Sequence, residues 1–223
     1  MFNKKLLTAA VGTALLTGAL QTQAFEIEAN VALVSDYRFR GISQTGEDAA
    51  IQGGFDASFE PGFYIGTWAS SVDFGDLPPE DGSFGTMEID YYAGWAGPIG
   101  DTDFGIDVGY FYYQYPGDTT DPEGDYQEFA ITGSWKDLSL TVIYSDDFYA
   151  ESDEYWYFSG DYSFGFDSLE GVTFGLHAGF NSFEEEGFFT TDEDEYTDYS
   201  VSVTYSVWGV DLGVAWVGTD LDD

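Results

Sequence analysis

The chain has 223 residues, with 42 Asp and Glu against five Lys and Arg and no cysteine. Such acidity argues against binding nucleic acid or docking electrostatically on an anionic membrane surface, and the lack of cysteine excludes disulfides and lipoprotein processing. An aromatic fraction of 19% excludes a disordered acidic tail, and no run reaches the roughly 18 consecutive apolar residues a membrane helix needs.

Residues 1–24 have the form of a secretory signal. Lys4 and Lys5 are the charged start, Leu6 to Leu20 is apolar but rich in small residues, and Thr22-Gln23-Ala24 offers small residues where a signal peptidase cuts. Cleavage after Ala24 is expected. It removes two of the five basic residues and leaves Arg38, Arg40 and Lys136 as the fixed cations of the mature domain, residues 25–223.

From Val31 the pattern has period two. Val31, Leu33, Tyr37 and Phe39 alternate with Asn30, Asp36, Arg38 and Arg40. The alternation recurs from Ile51 to Phe59, less regularly from Phe63 to Val72, then from Met87 to Trp95 and from Phe104 to Tyr112. It continues through Phe129 to Trp135, Leu138 to Tyr144, Trp156 to Tyr162, Val172 to Phe180, Tyr199 to Val207 and Val210 to Trp216, which makes eleven strands. Short connections at Pro61-Gly62, Lys136-Asp137 and Trp208-Gly209 alternate with long ones such as 73–85, 116–125 and 183–195. Across the two-residue turns Trp135 should oppose Leu138, and Val207 should oppose Val210.

A soluble sandwich alternates as well. Three features favour a membrane barrel instead: strands of about ten residues, aromatic residues crowded at strand ends, and the short-side, long-side asymmetry of the connections. Acidic residues fall on the connections and on the polar strand faces, and none falls on the proposed lipid face. The expected fold is therefore all-β, an antiparallel up-and-down transmembrane β-barrel in the outer membrane of a Gram-negative bacterium. Twelve strands are expected and eleven are visible, so the C-terminal strand is expected to be missing, leaving an open edge between the first and the eleventh. Partners are then outer-membrane lipids and the barrel-insertion machinery.

The segments SDYRFRGISQT, AIQGGFDASFEPGFYIGTWASSVDFG, EIDYYAGWAGPIG and FGIDVGYFYYQYPG resemble the TorF family of porin-like proteins, a proteobacterial outer-membrane group of unknown function. The resemblance extends over the mature chain. It implies a barrel acting as a porin and brings no catalytic residues.

The polar face carries the clearest chemistry. Asp36, Asp56, Glu88, Asp90, Asp107, Glu128, Asp161, Asp198 and Asp211 are expected to line the lumen, with Arg38, Arg40 and Lys136 as opposing charges. Rings of carboxylates favour cations, so a narrow, cation-preferring channel is the leading reading, with the arginines pairing across the lumen to constrict it. On this parity Tyr37 and Phe39 face lipid. The alternative is a non-conducting structural or surface-interaction barrel, plugged by its own side chains, whose acidic external loops bind divalent cations. Candidates for loosely bound calcium or magnesium are Asp118, Asp121, Glu123 and Asp125, and Glu184, Glu185 and Glu186, although neither run has the spacing of a dedicated calcium loop. A salt-adapted organism would show the same acidity without any site. An outer-membrane hydrolase is the third reading; His177 is the single histidine and faces the lumen, but no motif singles out a serine nucleophile beside it.

Overall fold

The computed structural model describes residues 14–15, 25–78, 81–184 and 194–221. Eleven long strands form one antiparallel meander, each paired with its neighbours in sequence: β1 (Phe25–Val34), β2 (Ala50–Phe59), β3 (Phe63–Ser71), β4 (Met87–Pro98), β5 (Phe104–Gln114), β6 (Tyr126–Trp135), β7 (Leu138–Ser145), β8 (Tyr155–Phe164), β9 (Val172–Phe183), β10 (Glu195–Val207) and β11 (Val210–Thr219). The two-residue turns hold the register their parity requires, Trp135 opposite Leu138 and Val207 opposite Val210. At Trp208-Gly209 both central residues have positive φ, 53° and 79°, the conformation whose twist matches that of the flanking strands.

Alternation decides the two faces. Leu33, Ile51, Phe55, Ile131, Leu140, Val214 and Trp216 stand exposed on the outside, while Gln52, Ser70, Glu88, Glu128, Asn181 and Asp198 are buried inside. A soluble sandwich would reverse this arrangement. β1 and β11 make no ladder with each other. The ring of hydrogen-bonded strands is completed only by Ala14–Leu15, which pairs at two positions with β1 and at one with β11.

The first strand departs from its expected course. It runs from Phe25 to Val34, earlier than the apolar alternation through Phe39 suggests, and its pairing with β2 ends at Val34–Ala50. Residues 35–48 then turn into the barrel as a loop whose tip is a small hairpin, Arg38–Phe39 against Ile42–Ser43. The tip residues Arg40 and Gly41 have φ of 47° and 86°. Gly41 is the residue this turn tolerates, since a Cβ there would collide with Thr219 of β11 and come within 3.0 Å of Asp198 Cβ. Tyr37 and Phe39 therefore do not face lipid: both pack against the interior aromatic cluster.

That cluster occupies the loop-side half of the interior. Tyr113, Tyr115, Tyr126, Phe148, Tyr155, Tyr157, Phe183 and Tyr196 are buried together, with Tyr113 stacked on Tyr126 at 4.4 Å and Phe148 on Tyr155 at 4.2 Å. Inward residues of the turn-side half, among them Asp56, Asp107, Asp161 and Thr204, keep partial exposure. The interior is packed beneath the long loops and wetter toward the short turns.

Candidate functional site

The inward wall has three levels. At the top, directly beneath the long loops, β4 presents Glu88 and Asp90 two residues apart on one face, β6 presents Glu128 and β10 presents Asp198. Glu128 has no solvent exposure, and the inserted loop brings it a cation. Arg40 Nη2 lies 2.8 Å from Glu128 Oε2, with 7% and 0% side-chain exposure. The guanidinium also sits over three rings, 4.5 Å from Phe39, 4.9 Å from Tyr155 and 4.5 Å from Tyr157. Tyr113 donates to Glu128 at 2.9 Å, and Tyr196 donates to the Arg40 carbonyl at 3.0 Å.

Tyr37, on the same loop, donates to Glu88 at 3.1 Å. Burial, reinforced by the Glu88 and Asp90 carboxylates, holds the Tyr37 phenol well above the ordinary tyrosine range, so it remains a donor.

The middle level centres on His177. Nδ1 meets Asp161 at 2.7 Å, while Nε2 meets Asp198 at 2.8 Å and the Tyr157 hydroxyl at 3.0 Å. Asn181 donates to the other Asp198 oxygen at 2.9 Å. Both ring nitrogens face carboxylates, so His177 on β9 ties Asp161 of β8 to Asp198 of β10 across the inner wall. At the lowest level Tyr92 donates to Asp56 at 2.6 Å and Tyr64 to Asp107 at 2.8 Å. Asp211 lies inward near the start of β11, half-buried.

Arg38 and Lys136 are placed differently from expectation. Arg38 is off the strand and stays within its own loop, 2.6 Å from Asp36 and 3.5 Å from the exposed Glu47. Asp36 also accepts from Ser43 at 2.6 Å, so the pair braces the base of the hairpin instead of lining the wall. Lys136 lies on a short turn with Nζ 4.9 Å from the Trp135 ring, on the outside.

The loop carboxylates are largely committed to their own loops. Asp118 accepts from the backbone N–H of Thr120 and Gly124, and Asp125 from the Tyr115 N–H and the Tyr112 hydroxyl. Asp121 and Glu123 are exposed, as is Glu184, which directly follows β9; Glu185 and Glu186 lie outside the described residues. Among the described residues no three His, Asp or Glu side chains are gathered in a way that could hold a metal ion.

Period-two reading missed the aromatic half of the site. Tyr155, Tyr157, Tyr113 and Tyr196 take the inward parity, and the signal for them is a run of aromatics on both faces, as in YWYF at 155–158 and YFYYQY at 110–115.

No curated protein matches the chain in sequence. Among solved structures it is similar to OprD/Occ outer-membrane porins. A form of OccD1 (OprD) with two substitutions aligns at a TM-score of 0.40 and 10% identity, over 90% of this chain and 67% of that one. OccD3 (OpdP) of Pseudomonas aeruginosa aligns at 0.39 and 13%, over 92% and 62%. OccK2 (OpdF) of the same organism, solved in complex with glucuronate, aligns at 0.35 and 12%, over 91% and 68%. The chain thus spans about two thirds of the length of these structures. The profile of the Gcw_chp family matches residues 19–223, and the chain belongs to this family of bacterial proteins of unknown function.

Proposed function

We propose that the protein is an outer-membrane, porin-like channel, narrow and cation-preferring, reached after removal of residues 1–24. The observation that carries the reading is the sorting of side chains: exposed Leu, Ile, Val, Phe and Trp outside, and Asp56, Glu88, Asp90, Asp107, Glu128, Asp161 and Asp198 inside. An apolar exterior suits lipid, and a carboxylate-lined interior raises the local concentration of cations. The resemblance of the quoted segments to TorF-family proteins agrees with it. In this reading the inserted loop 35–48 is the constriction, and Arg40 is its pin.

One observation favours the second reading, a non-conducting surface barrel: the loop-side interior is filled by the aromatic cluster and the hairpin. The two separate in planar bilayers. Refolded protein in a potassium chloride gradient should give discrete conductance whose reversal potential marks cation selectivity, and it should grow when the hairpin is withdrawn. No conductance from the native chain or from a hairpin-deleted one would leave the surface barrel.

A further inference from the structure

Arg40 occupies a site that the wall builds without it. Glu128 on β6 and Tyr155 and Tyr157 on β8 are strand residues, held by the register of the sheet, whereas Arg40 arrives on a loop. Tyr113 fixes the Glu128 carboxylate from β5 at 2.9 Å. A carboxylate beside two tyrosine ring faces is the environment of a planar delocalised cation.

The tethered arginine uses that site incompletely. Its pair with Glu128 is made through Nη2 and Oε2 alone, while Arg40 Nη1 and Glu128 Oε1 are both buried without a hydrogen-bond partner. A guanidinium and a carboxylate ordinarily meet through two parallel N–H···O contacts. Here the chain arrives with Arg40 at φ 47° and Gly41 pressed against Thr219 and Asp198, and its carbonyl is held by Tyr196. A guanidinium free of that backbone is not bound by these constraints.

We propose that Glu128, Tyr155 and Tyr157 form a recognition site for guanidinium-bearing solutes, and that Arg40 is its built-in occupant. A free solute makes the two-point contact that the tethered side chain lacks, takes Arg40's place, and releases the hairpin from the wall. The use of the site in passage rests on the channel reading; the binding does not. A compact ammonium has neither the fork nor the planar face and competes poorly.

Calorimetry on the full mature chain in detergent tests this, with ethylguanidinium as probe and ethylammonium as control at equal ionic strength. Arg40→Ala should bind ethylguanidinium with one-to-one saturation, about tenfold more tightly than ethylammonium and about tenfold more tightly than the native chain, where the tethered arginine competes. Glu128→Gln in the Arg40→Ala background should abolish it. Arg40→Gly, which suits the positive φ of 47° at this position and leaves the rings open, serves if Arg40→Ala does not fold. Equal affinity for the two probes, or binding that survives Glu128→Gln, would overturn the assignment. Guanidinium binding without conductance in bilayers would retain the site and refute the channel; conductance with no guanidinium binding would do the reverse.

Discussion

Arg40 and Glu128 are a buried ion pair with one contact, and such pairs are asymmetric in what their loss costs. Truncating one partner strands the other charge in the interior, at about 3–5 kcal/mol, whereas removing both restores much of that. Glu128→Gln alone should therefore lower resistance to denaturant more than Glu128→Gln combined with Arg40→Met, read from urea unfolding followed by intrinsic fluorescence. Equal losses would mean that the pair contributes nothing in this setting. His177 is braced by Asp161 and Asp198 on both ring nitrogens, so His177→Ala should weaken the β8–β9–β10 wall, read as a lower urea midpoint. The scarcity of cations made Arg40 conspicuous in the sequence, as did the parity that put Glu128 inside. The partners Tyr155 and Tyr157 were not, because alternation assigns aromatics to the apolar face and cannot tell when both faces are aromatic.

The hairpin of residues 35–48 is the element on which the proposed channel turns, and it is the one that periodicity misread. Val31, Leu33, Tyr37 and Phe39 share a parity, so a strand through Phe39 satisfies the pattern equally well. What ends the strand is the turn at Ser35-Asp36, where Asp36 is drawn to Arg38 and Ser43, and the positive φ at Arg40-Gly41 that local glycine permits. By contrast, the two-residue turns were legible, because their length and the parity of Trp135, Leu138, Val207 and Val210 leave a single register. Gly41→Val would place side-chain atoms against Thr219 and Asp198 at a φ that L-residues rarely adopt. It should cost about 1–3 kcal/mol and displace the tip. The displacement should appear as increased accessibility of a cysteine introduced at Phe39 to a water-soluble thiol reagent; unchanged labelling would show that the tip holds its place.

For the molecule as a whole, the outward and inward faces make opposite demands on one strand. Ile131 and Thr132 are neighbours on β6, the first 54% exposed on the apolar outside and the second inside, paired by its hydroxyl to Thr141 at 2.9 Å. Ile131→Arg should destabilise the protein refolded into bilayers by about 2–4 kcal/mol, and Thr132→Arg by much less. Equal costs would remove the membrane placement. The general plan of eleven strands and their facing was readable from period two and turn length. The open edge was readable as well: eleven antiparallel strands leave the first and the last running the same way, and β1 and β11 make no ladder with each other, only Ala14–Leu15 of the segment expected to be cleaved lying between them. The central claim, that this barrel conducts cations past an arginine-pinned hairpin, is tested most directly by single-channel recording of the native chain beside one lacking residues 38–43. Small, cation-selective conductance that rises several-fold on deletion is the predicted result; silence from both, or conductance indifferent to the hairpin or selective for anions, would contradict it.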